Sequence, residues 1–547
     1  MSGALRDESR FELNAAAGVD LYATPGFTIA VLRHMAGTET ARALLDDYRR
    51  AGLRAIENRR DDSAVVLFDE TSHTLVLARD FVGMTPLYYG SNSSDIAFGT
   101  RMTDVITGLG LQAKADRGAL ANLLVFHDGP LPGTTYFEDV CAVPPGHILV
   151  KRGARIAVSG SAPVPATPGN WSFEEASTEF RRLLHQAVAR RMSNTAKTSV
   201  FVSGGLDSAA LVCLAATCGD VIGINYGIGD DDAADETRYV DALRRSGIPI
   251  ERVPFYPTID VASAEQWVQD TEIPVVEMVP LTHGRAAARA VSAAAPTTLA
   301  GTWGDQVLAP FPPPRSRALT PWRVNEQAAA YHKYMTDVAV KDIVRALRRQ
   351  AIRNRAPDWV LEWRRERRHR RTIFDDLATG TALFGPVSRI RSYRDAVRAN
   401  VSGASAQQGV ETTTKWGVAN GVDALLPFLD RDLLQFILTI PDNIAYHEHA
   451  LKPLLRESMK GIVPDAVLGR RDKGDYTAAM RRHSLPPATV IDMLDGLRRP
   501  IAHGFISPAN ARKTLARIER CSDIWNGSDG IAAVFGLDVW LRLFIEK

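Results

Sequence analysis

The feature that most constrains the fold of this chain is a short apolar strand that runs directly into a glycine-rich loop and then into a helix. The strand covers Ser199 to Val202, the loop reads Ser203-Gly204-Gly205-Leu206-Asp207-Ser208, and Asp207 to Ala216 has helical periodicity. Two glycines let the backbone approach an anion without a clash from Cβ, and the start of a helix favours phosphate. Because the chain contains no G-x-x-x-x-G-K-[ST] segment, the loop is not a Walker loop. The alternative is a glycine-rich turn in which Asp207 and Ser208 only cap the helix.

Strands and helices alternate on both sides of this loop. After a helical segment, Phe173 to Met192, the pattern predicts strands at Ser199–Val202, Val221–Tyr226, Ile250–Phe255 and Thr297–Gly301, separated by helices at Asp207–Ala216, Asp235–Arg245 and Arg285–Ala294. This alternation predicts a parallel sheet with crossover helices, that is, an α/β fold. From about residue 320 onward the chain reads as mostly helical.

The region before this alternation has a different pattern. Residues 60 to 150 contain short strand-like runs separated by turn residues, at Ala64–Phe68, Leu75–Ala78, Leu87–Tyr89 and Ile148–Val150. They predict a separate α+β domain built on layered sheets. The stretch from Val158 to Gly169 is rich in Pro, Gly and Ser, which predicts a linker. We therefore expect an N-terminal domain over residues 1–157, a linker over 158–170 and a second domain over 171–547.

Composition excludes several classes of protein. Hydrophobic residues make up 45% and charged residues 23% of the 547 residues, which is typical of a folded globular protein. The net charge of +2 is too small to indicate a nucleic-acid partner. The sequence has no apolar run at its N-terminus and no stretch of about 18 apolar residues, so we expect no membrane partner and a cytoplasmic location. The four cysteines match neither a zinc ribbon nor a disulfide framework.

A second loop places another carboxylate at the expected edge of the sheet. In Leu299-Ala300-Gly301-Thr302-Trp303-Gly304-Asp305-Gln306 an aspartate follows two glycines at the end of a predicted strand. Ligands of open α/β sheets bind at this edge, so we expect Gly301 and Gly304 to contribute to the nucleotide site. Asp207 and Asp305 could together hold Mg²⁺, which usually takes one or two carboxylates plus phosphate oxygens and water. For Asp305 alone, turn capping is the alternative.

The sequence resembles the asparagine synthetase and β-lactam synthetase superfamily, whose nucleotide domain carries an S-G-G-x-D-S pyrophosphate loop. Further segments match the family in order along the chain: Arg79 to Tyr89 (R-D-x-x-G-x-x-P-L-Y-Y), Pro144 to His147 (P-P-G-H), Pro427 to Asp430, Lys452 to Arg456, Val463-Pro464 and Arg470 to Gly474. The resemblance implies an N-terminal glutaminase-like, Ntn-type sandwich domain. It also implies a C-terminal PP-loop sheet of the adenine-nucleotide α-hydrolase-like type with a helical extension. ATP and Mg²⁺ would be its cofactors, with the Ser203 to Ser208 loop, Leu206 included, on the nucleotide.

Departures from the family pattern narrow the expected reaction. Ser2 stands where glutamine-using members carry a catalytic cysteine, so we expect an inactive glutaminase domain and an amine supplied by the substrate. The segment Arg471 to Ala478 is similar to the K-G-[DE]-[YF]-[ST]-A of lasso peptide cyclases. The resemblance thus implies an ATP-dependent carbon–nitrogen ligase that adenylates an Asp or Glu side chain of a peptide. The peptide's N-terminal amine would then close a macrolactam, releasing AMP and pyrophosphate. Alternatives are a β-lactam synthetase, an ammonia-dependent asparagine-type synthetase, or a non-catalytic scaffold, the last suggested by Ser2, Gln306 and Leu425.

The resemblance also implies roles for individual residues and partners. Lys473 matches a family lysine that stabilises developing negative charge. Asp423 stands at the glutamate of E-x-R-x-P-F-L-D and is the candidate base, with capping or ion pairing as the alternative, because Leu425 replaces the usual arginine. A peptide substrate, a leader-binding protein and a leader protease would be the partners. The basic stretch from Arg345 to Arg371 is either a solvated helix face or a docking site for an acidic partner.

Overall fold

The computed structural model of the protein describes the chain from residue 1 to 546 with gaps. The residues outside the description are 8–9, 16–18, 34–39, 127–128, 161–166, 193–195, 227–235, 254–260, 275–280, 310–339, 358, 362, 364–389, 391, 448–450, 472–486, 521–530 and 547. Lys473 and the part of the basic stretch from Arg364 to Arg371 lie among them, so the predictions made for these residues lie outside the described part of the chain.

Two antiparallel sheets form the N-terminal domain. In chain order the strands are β1 (Ser2–Arg6), β2 (Arg10–Asn14), β3 (Val19–Thr24), β4 (Phe27–Arg33), β5 (Ser63–Asp69), β6 (Thr74–Ala78), β7 (Tyr88–Ser91), β8 (Ile96–Gly99), β9 (Cys141–Ala142), β10 (His147–Arg152) and β11 (Arg155–Gly160). One sheet has the order β2-β1-β8-β7-β9 and the other β11-β10-β6-β5-β4-β3. Apolar side chains from both sheets meet in one core that includes Leu5, Phe68 and Phe98. This sandwich confirms the predicted fold class of the N-terminal region.

Helices cover the outer faces of the sandwich. They are α1 (Ala41–Ala51), α2 (Leu53–Glu57), α3 (Met102–Leu109) and α4 (Arg117–Phe126). The covered outer face and the inner core together explain why β5 is buried from Ser63 to Phe68 with no alternation of polar residues. The continuous apolar run Ala64–Phe68 in the sequence therefore corresponds to a strand whose two faces are both buried.

A parallel sheet organises the second domain. Its strands are β12 (Thr198–Phe201), β13 (Val221–Tyr226), β14 (Ile250–Val253), β15 (Thr297–Leu299) and β16 (Asp423–Leu425), in the order β14-β13-β12-β15-β16. The chain builds the sheet outward from β12 in one direction and then returns to the other side of β12 with β15. The switch between β12 and β15 creates the crevice in which open α/β sheets bind ligands, at the carboxyl ends of the strands. This confirms the predicted parallel sheet.

The remaining helices belong to the second domain, and those near the C-terminus, including the helix that carries Trp540, pack against the N-terminal domain. They are α5 (Phe173–Met192), α6 (Leu206–Cys218), α7 (Thr237–Arg245), α8 (Val261–Thr271), α9 (Leu281–Ala294), α10 (Gly304–Leu308), α11 (Val340–Arg355), α12 (Tyr393–Ser402), α13 (Ala404–Ala419), α14 (Arg431–Ile437), α15 (Asp442–Ala445), α16 (Pro453–Ser458), α17 (Asp465–Leu468), α18 (Pro487–Met493), α19 (Arg498–Ala502), α20 (Pro508–Glu519) and α21 (Ile531–Phe544), with 3-10 turns at Pro427–Leu429 and Asp495–Leu497. None of the helices in the described ranges has the length and apolar character needed to cross a membrane.

Several elements differ from the sequence-based expectation, and strands β1 to β4 lie before the region in which strands were predicted. The predicted linker begins later, because Val158 to Gly160 complete β11, whose Gly160 pairs with His147 of β10. The prolines that cannot join a ladder start only after this point, at Pro163. Strand β16 was not predicted, and its three residues are too short for a periodic signal.

The two domains share buried surfaces. Val82 and Met84 of the N-terminal domain belong to the core of the parallel sheet. Arg191 of α5, whose side chain is 1% exposed, pairs with Asp62 of the N-terminal domain at 2.7 Å and with Asp430 of the second domain at 2.9 Å. Because breaking a buried ion pair leaves an uncompensated charge, these contacts hold the domains in one arrangement.

Candidate active site

The glycine-rich loop between β12 and α6 is closed by its own serines. The Ser203 backbone N–H donates to Ser208 Oγ at 3.1 Å, and that hydroxyl donates to the Gly205 carbonyl at 3.1 Å. Gly204 has a φ of +76°, and a Cβ there would lie 3.1 Å from Cβ of Glu236. Both the backbone angle and the space therefore require glycine at this position. Leu206 and Ser208 are buried and begin the helix, so the loop places the helix N-terminus at the carboxyl edge of the sheet.

The second predicted loop, after β15, packs directly against the first. A Cβ on Gly301 would lie 3.0 Å from the backbone nitrogen of Ser208, and a Cβ on Gly304 would lie 2.5 Å from Cγ of Asp207. The two glycines predicted for the nucleotide site thus allow the close approach of the two loops. Trp303, which lies between the two glycines, has a φ of +77°. This backbone conformation is energetically unfavourable for a non-glycine residue, and such strained residues cluster at functional sites.

Lys452 joins the two predicted carboxylates. Its Nζ contacts Oδ2 of Asp207 and lies 2.6 Å from Oδ1 of Asp305. Burial alone would lower the pKa of Lys452, but the two carboxylates outweigh burial and raise it above its usual value. Lys452 belongs to a segment that matches the family, yet the sequence assigned it no role. The backbone of Lys452 is also unusual for a non-glycine residue, because it adopts a φ of +54° directly before α16.

The donor set of this pair fits a hard divalent cation. Two carboxylate oxygens converge on one nitrogen atom, so the same oxygens could share one Mg²⁺, which prefers oxygen ligands. Within the described residues, no group of three or more His, Cys, Asp or Glu side chains comes together as a metal site. A metal at Asp207 and Asp305 would therefore take its remaining ligands from phosphate oxygens and water.

An arginine from a third segment braces the pyrophosphate loop. Nη1 of Arg470 donates to the Gly204 carbonyl at 3.0 Å and to Oε1 of Glu236 at 2.6 Å, and its guanidinium lies 4.3 Å from the Tyr239 ring centroid. Arg456 in turn donates to the Arg470 carbonyl at 2.9 Å and to the Leu451 carbonyl at 2.8 Å. These contacts tie the loop, the Lys452 segment and the start of the Lys473 segment together. The sequence analysis placed Arg470 in a segment that matches the family but assigned it no role, and it did not identify Glu236.

Asp423 is the first residue of β16 and stands opposite Thr297 of β15. The two site loops leave the sheet after Phe201 and Leu299. Asp423 therefore stands level with a residue two positions, or about 7 Å of strand, before the start of the Asp305 loop. Its role as the base stays a prediction.

In the N-terminal domain, Ser2 occupies the position at which the family resemblance predicts a catalytic cysteine. Ser2 begins β1 and pairs with Asn14 and Gly99. Among the cysteines within the described ranges, Cys141 lies in the same sheet as β1, but β8 and β7 separate the two strands. No described cysteine stands in for the missing thiol at Ser2.

Two family profiles match this chain. The profile of the asparagine synthase family matches residues 179–542, more than half of the chain, and the profile of the glutamine amidotransferase domain matches residues 31–159. Asparagine synthetase [glutamine-hydrolyzing] 1 of Bacillus subtilis is 22% identical over 536 residues, which cover 92% of this chain and 81% of that protein. Asparagine synthetase [glutamine-hydrolyzing] 3 of the same organism is 28% identical over 153 residues, covering 28% of this chain and 25% of that protein.

A further relative is the amidase chry2 of Gibberella zeae, 28% identical over 169 residues, which cover 30% of this chain and 24% of the amidase. This chain thus spans about a quarter of the length of two of these curated relatives. A solved glutamine phosphoribosylpyrophosphate amidotransferase of Bacillus subtilis is 10% identical, covers 58% of this chain and 76% of its own, and has a TM-score of 0.20, too low to support an argument. The family profile confirms the resemblance found in the sequence. The chain belongs to the asparagine synthase family.

Proposed function

We propose that this chain uses ATP to activate a carboxylate as an acyl-adenylate and then joins it to an amine, releasing AMP and pyrophosphate. The observation that carries the proposal is the contact of Lys452 with Asp207 and Asp305 beside the Ser203 to Ser208 loop. A phosphate-binding loop, two cation-binding carboxylates and a lysine then face one crevice at the switch point of the sheet. Such a site can neutralise a leaving pyrophosphate, which is the main requirement of adenylation.

In the first step a carboxylate oxygen attacks the α-phosphorus of ATP and the bond to pyrophosphate breaks. The loop would hold the pyrophosphate through N–H groups at the start of α6, and Arg470 would keep the Gly204 peptide in place. Lys452 would give its positive charge to the phosphates once they approach. Mg²⁺ at Asp207 and Asp305, when bound, would supply further neutralisation of phosphate charge.

In the second step the amine nitrogen attacks the acyl carbon, the bond to AMP breaks, and the nitrogen loses a proton. This step needs a proton acceptor and a group that stabilises the negative charge of the tetrahedral stage. The family resemblance proposes Lys473 for the charge. Asp423 has only the resemblance in its favour as the base, because its strand position lies about two residues before the edge of the sheet.

For the substrate, we propose a peptide whose own N-terminal amine attacks its activated Asp or Glu side chain, the reaction of a lasso peptide cyclase. Two features of the sequence support an amine that belongs to the substrate: Ser2 in place of a glutaminase cysteine, and the similarity of Arg471 to Ala478 to the cyclases. A leader-binding protein and a leader protease would then be partners.

The test follows pyrophosphate release and peptide mass together. The purified full chain would be incubated with ATP, Mg²⁺ and leaderless peptides that carry a free amine and an internal Asp or Glu. Pyrophosphate release with the loss of one water from the peptide supports the cyclase. Release only with a small amino acid would instead point to a β-lactam or asparagine-type synthetase. No release with any substrate, and no ATP binding, would contradict the ligase proposal and favour a scaffold.

A further inference from the structure

The N-terminal domain contributes no reacting group to the proposed reaction, yet it binds one face of helix α13. The other face of α13 contacts the loop that carries Asp305. Glu411 of α13 is the main contact. Its Oε1 accepts from Nη2 of Arg79 at 2.8 Å, and its Oε2 accepts from the Tyr88 hydroxyl at 2.8 Å. Arg79 and Tyr88 belong to the R-D-x-x-G-x-x-P-L-Y-Y segment, and their side chains are fully buried. Burial alone would raise the pKa of Glu411, but Arg79 and Lys415 outweigh burial and hold the pKa below its usual value.

Two further residues on the same face of α13, Thr414 and Lys415, also contact the N-terminal domain. The Thr414 hydroxyl donates to the Met84 carbonyl at 2.7 Å. Nζ of Lys415 lies 4.7 Å from the Tyr88 ring centroid and donates to Oε2 of Glu272 at 3.0 Å. Positions 411, 414 and 415 are three and four residues apart, so they share one side of the helix. The N-terminal domain therefore fixes both the height and the rotation of α13.

The other side of α13 touches the loop that carries Asp305. A Cβ on Gly409 would lie 3.3 Å from Cζ2 of Trp303, which means that the indole ring packs on the helix backbone at this glycine. Gly409 is two residues from Glu411 and thus about 200° around the helix from it. Trp303 precedes Gly304 and Asp305, and its φ of +77° fixes the direction in which the chain enters α10.

We propose that Glu411 is a positioning residue through which the N-terminal domain sets the place of Asp305. The route runs from Arg79 and Tyr88 to Glu411, across α13 to Gly409, and through the Trp303 ring to the loop. In this view the domain is retained without glutamine hydrolysis because it holds the cation-binding loop in register with Asp207. The inference rests on the proposed function, since it assigns Asp305 to Mg²⁺ and ATP.

Two variants of the full chain separate positioning from mere stability. Glu411→Gln removes the charge that pairs with buried Arg79, which lowers the melting temperature. Gly409→Ala leaves all contacts of Glu411 intact and favours the helix, but its methyl group presses on Trp303. Gly118→Ala in α4 is the matched control, because its Cβ would meet only the Asp116 carboxylate, at 3.3 Å.

The measurement is ATP binding by isothermal titration calorimetry over a range of Mg²⁺ concentrations, with the melting temperature recorded for each protein. We expect Gly409→Ala and Glu411→Gln to raise the Mg²⁺ concentration for half-maximal ATP binding by about tenfold, as for other residues that support a metal ligand. For Gly409→Ala this should occur without a loss of melting temperature, and Gly118→Ala should match the wild type. If Gly409→Ala binds ATP with the wild-type dependence on Mg²⁺, the positioning role is overturned, whether or not Glu411→Gln folds. If the wild type itself binds no ATP, the proposed function fails instead.

Discussion

Nζ of Lys452 and Oδ1 of Asp305 lie 2.6 Å apart, although Lys452 directly precedes α16 and Asp305 lies in the loop region that follows β15, 147 residues earlier in the chain. The same ammonium also contacts Asp207. Two carboxylates this close repel each other unless a cation lies between them. Lys452 therefore stabilises the approach of the two loops to each other. If Mg²⁺ were held by Asp207 and Asp305, it would supply this counter-charge, and the charge of Lys452 would be available to phosphate.

Replacing Lys452 tests this relationship. For Lys452→Met we expect the rate of pyrophosphate release to fall by about 100-fold or more, because one charge that faces the leaving group is lost. We also expect a lower melting temperature that Mg²⁺ with ATP restores, since Asp207 and Asp305 would then lack a counter-charge. Lys460→Met is the control, because Lys460 is exposed and pairs with Glu457 one turn away on the protein surface. An unchanged rate in Lys452→Met would remove Lys452 from the reaction.

Gly304 tests the close approach of the two loops. A Cβ at this position would lie 2.5 Å from Cγ of Asp207, so Gly304→Ala must push the loops apart. We expect ATP binding to be lost while far-ultraviolet circular dichroism stays that of the folded protein, because the clash is confined to the crevice. Gly219→Ala, at the opposite end of α6, should bind ATP normally, since its Cβ would meet only Cε of Met192 at 3.6 Å. Normal ATP binding by Gly304→Ala would mean that the nucleotide lies elsewhere.

Local signals in the sequence predicted the framework of this site but not its cross-links. The helix Phe173–Met192 and the strand Val221–Tyr226 have the predicted bounds, because their patterns depend only on neighbouring residues. The contacts of Lys452 and Arg470 depend on how distant loops meet above the sheet, which no local pattern encodes. For Asp423 the motif suggests a role at the site, and the parallel register of β16 adds only that the residue stands opposite Thr297, two positions before the end of β15.

Arg470 tests the brace behind the pyrophosphate loop. Lysine in its place cannot reach both the Gly204 carbonyl and Glu236, and it loses the stacking on Tyr239. A hydrogen bond to a charged group contributes about 1.5–3 kcal/mol, so Arg470→Lys should raise KM for ATP by roughly 10- to 100-fold. Arg182→Lys, whose parent arginine is half exposed and pairs with Glu179 on its own helix, should leave KM unchanged. A KM for Arg470→Lys equal to that of the wild type would argue against the brace.

Asp62 gives the interface between the domains a dependence on pH. Burial raises the pKa of this carboxyl to about 6, and the Arg191 guanidinium opposes the shift only in part. A carboxyl with a raised pKa binds its proton more tightly in the folded than in the unfolded protein between about pH 4 and 6. The contribution of Asp62 to the free energy of unfolding therefore falls as the pH rises through this window, by on the order of 3 kcal/mol.

The comparison of wild type with Asp62→Asn isolates this contribution, because asparagine does not titrate and keeps the shape of the side chain. Denaturant unfolding would be measured at several pH values from 4 to 7. As the pH rises from 4 to 6, the free energy of unfolding of the wild type should fall relative to that of Asp62→Asn. Asp47→Asn serves as the control, since Asp47 is half-buried and pairs with exposed Arg50 on its own helix, α1. A difference that stays constant from pH 4 to 7 would mean that Arg191 holds Asp62 ionised throughout, and that the buried pair stabilises the domain interface equally at each pH.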